Sequence, residues 1–183
     1  MNRLLEVIEA APPRAAATRV VAIDGRSGSG KTTLAQSLAS ALGAPLVALE
    51  DLYGGWDGLE HGVSLLGSAV LRVLDAGRTA SVPRYDWLAQ AWGEPWSLPP
   101  PAHLIVEGVG AGALALAPYT SVLVWIELDA QQRRERALAR RYGELYGPHW
   151  HRWALQEVAF YERERVIERA DLVFEAAELD APR

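Results

Sequence analysis

The chain alternates between short apolar runs and longer stretches in which apolar residues recur every three or four positions. Five of the runs have the length of a strand and are rich in apolar side chains: 19–24, 45–50, 103–108, 121–128 and 171–175. Strands that are apolar along their whole length are typical of a parallel sheet covered on both faces. The pattern therefore predicts an α/β fold, with helices on each side of a sheet.

Helical patterns lie between these runs. Residues 31–43 repeat leucine every four positions and end at a glycine, which predicts a helix and its end. Similar patterns predict three further helices: 63–77, 130–142 and 150–169. Residues 79–87 are predicted to be extended, and the proline-rich stretch 92–102 is predicted to be a surface loop.

The length and composition indicate a single domain over 1–183. Half of the 183 residues are apolar and 22% are charged, which is ordinary for a globular protein. Residues 1–18 are predicted to be an N-terminal helix and a tether. The opening sequence MNRLLEVIEAAPPR contains two glutamates and no long apolar core, so it is neither a signal peptide nor a membrane span. No membrane partner is expected.

Charge and cysteine content narrow the function classes. The net charge of −5 argues against duplex nucleic acid as a partner, because such proteins favour a basic face. The chain has no cysteine, which excludes disulfides, thiolate metal sites and a cysteine nucleophile. The lack of disulfides fits a cytoplasmic location. The sequence leaves open whether the chain forms a homo-oligomer.

Residues 25–32, GRSGSGKT, fit the pattern G-x-x-x-x-G-K-[ST] between a predicted strand and a predicted helix. Glycines let such a loop turn tightly and point its backbone N–H groups at a polyphosphate, and the helix adds its positive N-terminal end. The loop therefore predicts nucleotide binding. The candidate nucleotide-binding residues are Gly25, Ser27, Gly28, Ser29, Gly30, Lys31, Thr32 and Thr33.

Lys31 is the only lysine among 18 lysine and arginine residues. An ammonium is a compact point charge on a flexible stem, and the planar guanidinium of arginine does not replace it freely. Lys31 is therefore the candidate contact to the β- and γ-phosphates, and the hydroxyl of Thr32 is a candidate Mg²⁺ ligand. ATP and Mg²⁺ are the expected cofactors.

Two common classes of nucleotide-using proteins do not fit. The only asparagine is Asn2, so the N-K-x-D element that reads guanine in switch GTPases is missing, and so is the H-R-D…N loop of protein kinases. A small-molecule kinase fits better, and it needs carboxylates near the phosphates. Glu50, Asp51 and Glu107 follow predicted strands, whose carboxyl ends meet at the ligand-binding edge of a parallel sheet.

Six ordered segments resemble the uridine kinase branch of the P-loop kinases, which includes pantothenate kinases and phosphoribulokinases. The segments are GRSGSGKTTLA, EDLY, PRYDW, LIVEGV, RRERALARR and ADLVF, and they span about residues 19–175. The resemblance implies the three-layer P-loop NTPase fold. That fold has a five-stranded parallel sheet flanked by helices, with a helical lid over the ATP phosphates.

The resemblance also implies residue roles. Lys31 and Thr32 match the phosphate lysine and the magnesium hydroxyl, and Glu107 matches the glutamate on the magnesium side. Tyr85 matches an aromatic residue that packs against the nucleoside. The lid arginines fall among Arg133, Arg134, Arg136, Arg140 and Arg141, with Arg134 and Arg140 taken as the catalytic candidates.

The chain departs from the family pattern at the catalytic base. The family has an aspartate three residues before the tyrosine of D-x-[FY]-[YH]. In register with Tyr53 that position is Glu50, whose carboxylate reaches one methylene further. Asp51 is the alternative, and the register favours Glu50 slightly.

A second departure concerns the acceptor. Uridine kinases carry a histidine five residues after the nucleoside tyrosine, and here that position is Gln90. Tyr53, Tyr85, Asp86 and Gln90 are the candidate substrate contacts. Tryptophans in the LYGGWDGL and WLAQAWGEPW segments either form a stacking pocket or pack the loops together.

The expected function is that of an ATP- and Mg²⁺-dependent kinase acting on a hydroxyl of a small molecule, with uridine or cytidine as the leading acceptor. Two alternatives stay open. One is a kinase of a nucleoside monophosphate or another phosphorylated metabolite, which would use arginines to grip a second phosphate. The other is a nucleotide-binding module with little phosphotransfer that acts through a partner.

Overall fold

The chain folds around one parallel sheet, as the alternation predicts. The computed structural model describes residues 1–139 and 143–177. The strands in chain order are Arg19–Asp24 (β1), Leu46–Ala48 (β2), Ala80–Val82 (β3), Tyr85–Asp86 (β4), Ala91–Trp92 (β5), Trp96–Leu98 (β6), His103–Glu107 (β7), Thr120–Glu127 (β8) and Leu172–Glu175 (β9). Five of them form the parallel sheet in the order β2-β7-β1-β8-β9. All five predicted strands are thus confirmed in the described part of the chain.

Helices cover both faces of this sheet. They are Asn2–Ala10 (α1), Lys31–Leu42 (α2), Leu59–Leu65 (α3), Arg72–Asp75 (α4), Ala130–Leu138 (α5), Gly143–Tyr146 (α6), Trp150–Glu164 (α7) and Val166–Arg169 (α8). The π-helical segment Leu66–Leu71 joins α3 to α4, so the helix predicted over 63–77 begins earlier than expected. The helix predicted over 150–169 is broken at Arg165, whose φ is 49°.

The side chains of β1 show how the two faces are filled. Val21 and Ile23 are buried in a cluster with apolar side chains of α1 and α2, whereas Val20 and Ala22 belong to a second cluster with α3 and α7. Adjacent strand residues point to opposite faces, so one apolar run serves both layers. Within α1, Leu4 is 1% exposed, and burying such a side chain contributes roughly 2 kcal/mol.

The prediction of a loop over 92–102 is wrong in part. Within it, Trp96–Leu98 forms β6 and pairs antiparallel with β3, and Leu98 is buried. Proline removes a ladder hydrogen bond only at its own position, so a short strand can precede the three consecutive prolines. The prediction that 79–87 is extended is confirmed by β3 and β4.

The carboxyl ends of the parallel strands meet at one edge. Ile23 of β1 and Ala48 of β2 both pair with Glu107 of β7, so the loops that follow these three strands start side by side. Within the described residues, no helix is both long enough and apolar enough to cross a bilayer. The sequence predicts the nucleotide-binding loop and the candidate carboxylates at the edge formed by these strand ends.

Candidate active site

The loop between β1 and α2, which we call the phosphate loop (residues 25–32), requires glycine at defined positions. Gly28 has φ of 86° and Gly30 has φ of 103°, conformations that side chains rarely adopt. A Cβ atom on Gly28 would lie 2.1 Å from the backbone oxygen of Arg133 in α5. The loop therefore folds tightly against α5, with no space for a larger residue.

Lys31 is the first residue of α2 and is 6% exposed. Its Nζ atom donates a hydrogen bond of 3.0 Å to the backbone oxygen of Arg26, inside the phosphate loop. Ser29 is fully buried, while Thr32 and Thr33 are exposed at the start of α2. The ammonium group thus lies over the loop whose N–H groups are suited to a polyphosphate.

Thr32 and Glu107 form the oxygen pair that the resemblance implies for magnesium. The Thr32 hydroxyl donates to Glu107 Oε1 over 3.1 Å, although 75 residues separate them. Glu107 is 5% exposed at the end of β7. A hydroxyl and a carboxylate are hard oxygen ligands, which Mg²⁺ prefers, and magnesium keeps several waters for its remaining positions. The residues present therefore fit the ion.

Glu50 and Asp51 lie together in a 3₁₀ turn, Leu49–Leu52, but their surroundings differ. Asp51 Oδ2 is 3.6 Å from Nε of Arg84, and partial burial raises the pKa of Asp51 while Arg84 opposes the rise. Glu50 is exposed. Burial, together with the nearby charges of Glu107, Asp24 and Glu50, raises the pKa of the Tyr53 hydroxyl. Asp51 is therefore partly buried beside a cation, whereas the side chain of Glu50 is open to solvent.

Tyr53 is buried, and its hydroxyl donates to the backbone oxygen of Val109 over 2.9 Å. Its ring lies 4.8 Å from that of Trp153. The side chain nonetheless contributes to one wall of a cavity of about 430 Å³ that opens beside the 3₁₀ turn. The cavity is lined by Tyr53, Gly54, Gly55, Trp56, Asp57, Gly58, His61 and Trp92.

Four aromatic rings beside this cavity contact one another and form what we call the aromatic wall; two of them, Trp56 and Trp92, line the cavity. Tyr85 lies 5.3 Å from both Trp87 and Trp92, and Trp87 lies 4.7 Å from Trp56, between ring centroids. Trp92 is 46% exposed, so part of its indole is open to solvent. The tryptophans thus pack the loops together, one of the two interpretations that the sequence left open, and a role in stacking against a ligand stays a prediction.

Two known structures with the same architecture are described as possible kinases. A possible uridine kinase from Bacillus stearothermophilus superposes with a TM-score of 0.70 at 23% identity, covering 94% of this chain and 96% of that one. A protein from a Silicibacter species, provisionally described as a fructose transport system kinase, superposes with a TM-score of 0.60 at 21% identity, covering 94% and 96%. The chain shares the three-layer P-loop fold of these two structures, with a five-stranded parallel sheet flanked by helices. No protein-family model matches the chain, and no curated protein sequence matches it either.

Within this fold, the predicted lid arginines lie in different environments. Arg133 is held down: its Nε atom donates to the backbone oxygen of Leu128, and its side chain is 11% exposed. Arg136 Nη1 lies 3.9 Å from the position of a Cβ on Gly30, beside the phosphate loop. Arg134 is exposed on α5. The other two candidates, Arg140 and Arg141, lie outside the described residues.

Two candidate acceptor contacts are placed away from the cavity. Asp86 accepts the backbone N–H groups of Leu88 and Ala89, which closes the turn between β4 and β5. Gln90 is exposed in the same turn with φ of 50°. Neither residue lines the cavity, and neither does Tyr85, although the ring of Tyr85 contacts that of Trp92, which does.

Asp24, directly before the phosphate loop, is a buried residue of the site that the sequence did not indicate. Its buried carboxylate accepts the N–H groups of Gly25, Gly110 and Gly112 and the hydroxyl of Tyr161, at 2.6–3.1 Å. Burial raises the pKa of Asp24, and these hydrogen bonds oppose the rise. The available signal was an aspartate directly before the phosphate loop, at the end of an otherwise apolar strand.

Proposed function

We propose that the protein is an ATP- and Mg²⁺-dependent kinase that transfers the γ-phosphoryl group to a hydroxyl of a small molecule. The observation that carries the proposal is the contact between Thr32 and Glu107 beside the buried Lys31. A purely structural glycine turn would not need a hydroxyl of α2 and a carboxylate of β7 brought together from distant parts of the chain. The P-loop kinase fold supports the same conclusion.

Each group at this edge has a defined task in such a transfer. Lys31 and the N–H groups of the phosphate loop would bind the β- and γ-phosphates and hold them in line with the acceptor. Thr32 and Glu107 would hold magnesium, which neutralises charge on the phosphates when it is bound. Arg136, beside Gly30, is placed to add positive charge near the phosphates.

Glu50 is the better candidate for the group that accepts or orients the proton of the acceptor hydroxyl. Glu50 lies in the turn that follows β2, and the last residue of β2, Ala48, pairs with Glu107. Asp51 is instead paired with Arg84. Phosphoryl transfer depends mainly on positioning and on charge stabilisation, so a carboxylate that orients the acceptor hydroxyl suffices for this role.

The cavity beside Glu50 supports an uncharged, ring-bearing alcohol as the acceptor, with a nucleoside as the leading candidate. Its lining contributes aromatic faces, glycine backbone and Asp57. Arg152 lies close by, but two of its nitrogens bond both oxygens of Asp57, so its charge is already matched. A phosphorylated acceptor would need such a cation for itself.

The test is ADP release from Mg·ATP in the presence of uridine, cytidine, pantothenate and a panel of sugar-like alcohols. Nucleoside monophosphates form a separate arm. The Lys31→Ala variant serves as the blank, and Ser40→Ala, exposed on the same helix, serves as the matched control. We expect an uncharged alcohol to stimulate turnover in the parent and the Ser40 variant, and none in the Lys31 variant.

Other outcomes would redirect the proposal. Turnover with monophosphates alone would favour a kinase of phosphorylated acceptors. Tight nucleotide binding without turnover on any acceptor would favour a nucleotide-binding module. Full activity in the Lys31→Ala variant would contradict the kinase assignment itself.

A further inference from the structure

Helix α7 presents three side chains, four residues apart, to the buried interior. They are Trp153, Glu157 and Tyr161, which we call the α7 clasp, and they are 4%, 2% and 9% exposed. A spacing of four residues places them on one face of the helix. A buried carboxylate is costly unless its oxygens receive hydrogen bonds, so the partners of Glu157 indicate what it does.

Glu157 holds the phosphate loop through one peptide group. Its Oε1 atom accepts the N–H of Ser27 over 2.8 Å and the indole N–H of Trp153 over 3.0 Å. Arg133 lies 4.0 Å from the other oxygen of Glu157 and donates to the backbone oxygen of Ser27 over 3.4 Å. Ser27 is thus held at its N–H by α7 and at its carbonyl by α5.

The same helix also holds the beginning of the loop. The hydroxyl of Tyr161 donates to Asp24 over 2.6 Å, and Asp24 accepts the N–H of Gly25 over 2.7 Å. The guanidinium of Arg26 lies 5.1 Å from the centre of the Tyr161 ring, within range of a cation–π contact. Two members of the α7 clasp therefore contact the loop side by side.

The phosphate loop needs such support because of its composition. Its glycines lose more backbone entropy on ordering than other residues do, and a row of N–H groups must still converge on the phosphates. We propose that Glu157 is a positioning residue, which holds the loop in its nucleotide-binding shape through Ser27 without touching the nucleotide. This inference rests on the proposed function, since it assumes that the loop binds a nucleotide.

Two substitutions of matched size separate this role from simple packing. Glu157→Met keeps the volume but removes both acceptor oxygens, whereas Glu157→Gln keeps one oxygen for Ser27. The variants of the full chain are titrated with Mg·ADP by calorimetry, and their melting temperatures are measured alongside. Glu162→Ala, exposed on the same helix, is the control.

We expect Glu157→Met to weaken Mg·ADP binding about tenfold, as the loss of a hydrogen bond to a buried carboxylate does. Glu157→Gln should stay within about threefold of the parent, because its amide oxygen can still accept the Ser27 N–H. In turnover assays Glu157→Met should raise KM for ATP and leave kcat within about threefold. If Glu157 served only in packing, Glu157→Met would lower the melting temperature without raising KM for ATP selectively.

Two results would overturn the inference. One is a folded Glu157→Met variant that binds Mg·ADP as tightly as the parent. The other is rapid hydrogen exchange of the Ser27 amide in the nucleotide-free parent, measured by NMR. This second test does not depend on whether the Glu157→Met variant folds. A parent chain that does not bind Mg·ADP would overturn the proposed function and this inference with it.

Discussion

The phosphate end and the acceptor end of the site are built in different ways. The phosphate end is formed by β1, α2 and β7 and is tied by hydrogen bonds to buried carboxylates, including Asp24 and Glu157. The acceptor end consists of the 3₁₀ turn, the adjacent Gly54 and Gly55, and a hairpin whose strands, β4 and β5, have two residues each. The exposed Trp92 is the last residue of this hairpin. Buried, hydrogen-bonded groups are thus concentrated where charge would be aligned, and exposed side chains lie where a ligand would be selected.

Replacing the proposed proton acceptor should have the largest effect. We expect Glu50→Gln to lower kcat on the order of a thousandfold, the usual range for removing a general base, with KM for ATP unchanged. Asp51→Asn should lower kcat less than tenfold, because Asp51 is paired with Arg84. Steady-state kinetics on the two variants decide between them, and the reverse order would assign the role to Asp51.

The second-largest effect should come from adding one methyl group to the phosphate loop. Gly28→Ala places a Cβ against the backbone of Arg133, so we expect it to lower the free energy of unfolding by about 3 kcal/mol and to weaken Mg·ADP binding.

The matched control is Gly43→Ala. Gly43 has φ of 58° but meets no atom within 4 Å, so only the left-handed backbone cost of about 1 kcal/mol remains. Chemical denaturation and calorimetry measure both effects. Equal losses of stability in the two variants, with nucleotide binding intact, would contradict the close packing of the loop against α5.

Removing an aromatic face from the acceptor end should affect only the acceptor. We expect Trp92→Ala to raise the acceptor KM about fivefold, equivalent to about 1 kcal/mol, and to leave KM for ATP unchanged. Leu88→Ala, 66% exposed and outside the cavity, is the control. A change in KM for ATP in the Trp92 variant would mean that the two ends are not independent.

The smallest expected effect is the titration of Asp51. Partial burial raises its pKa above the ordinary 3.8, and Arg84 opposes the rise. Because the folded pKa is raised, the stabilising contribution of the protonated form is present below pH 3.8 and is lost as the pH rises through the folded pKa. Carboxyl NMR should place the Asp51 pKa above 3.8, and higher still in Arg84→Ala. A parent value at or below 3.8 would show that Arg84 outweighs burial.

The sheet and the phosphate loop could be predicted because their signals are local. Branched apolar runs mark buried strands, and the glycines around Lys31 follow one another within eight positions. The boundaries of the helices were less accurate, since the π-helical Leu66–Leu71 and the break at Arg165 depend on packing against other elements.

The acceptor residues were harder to predict for a physical reason. Tyr85 was identified and belongs to the aromatic wall, but Asp86 closes a hairpin turn that only its own backbone partners reveal. The aromatic neighbours of Trp56 include His149, whose ring lies 4.4 Å away after a separation of more than ninety residues. Contacts of this kind leave no periodic trace along the chain.

By itself, the sequence determined the α/β class and the position of the phosphate loop, because these follow from spacing and backbone preference. The pairing of Thr32 with Glu107 was implied only by the family resemblance, and the structure shows the contact. Only the tertiary structure decided which buried carboxylates hold that loop. Asp24 meets Tyr161, and Glu157 meets Ser27 across 130 residues, through the way α7 packs on the sheet. Short-range order can be read along a chain, whereas the partners of a buried charge are set by the fold that buries it.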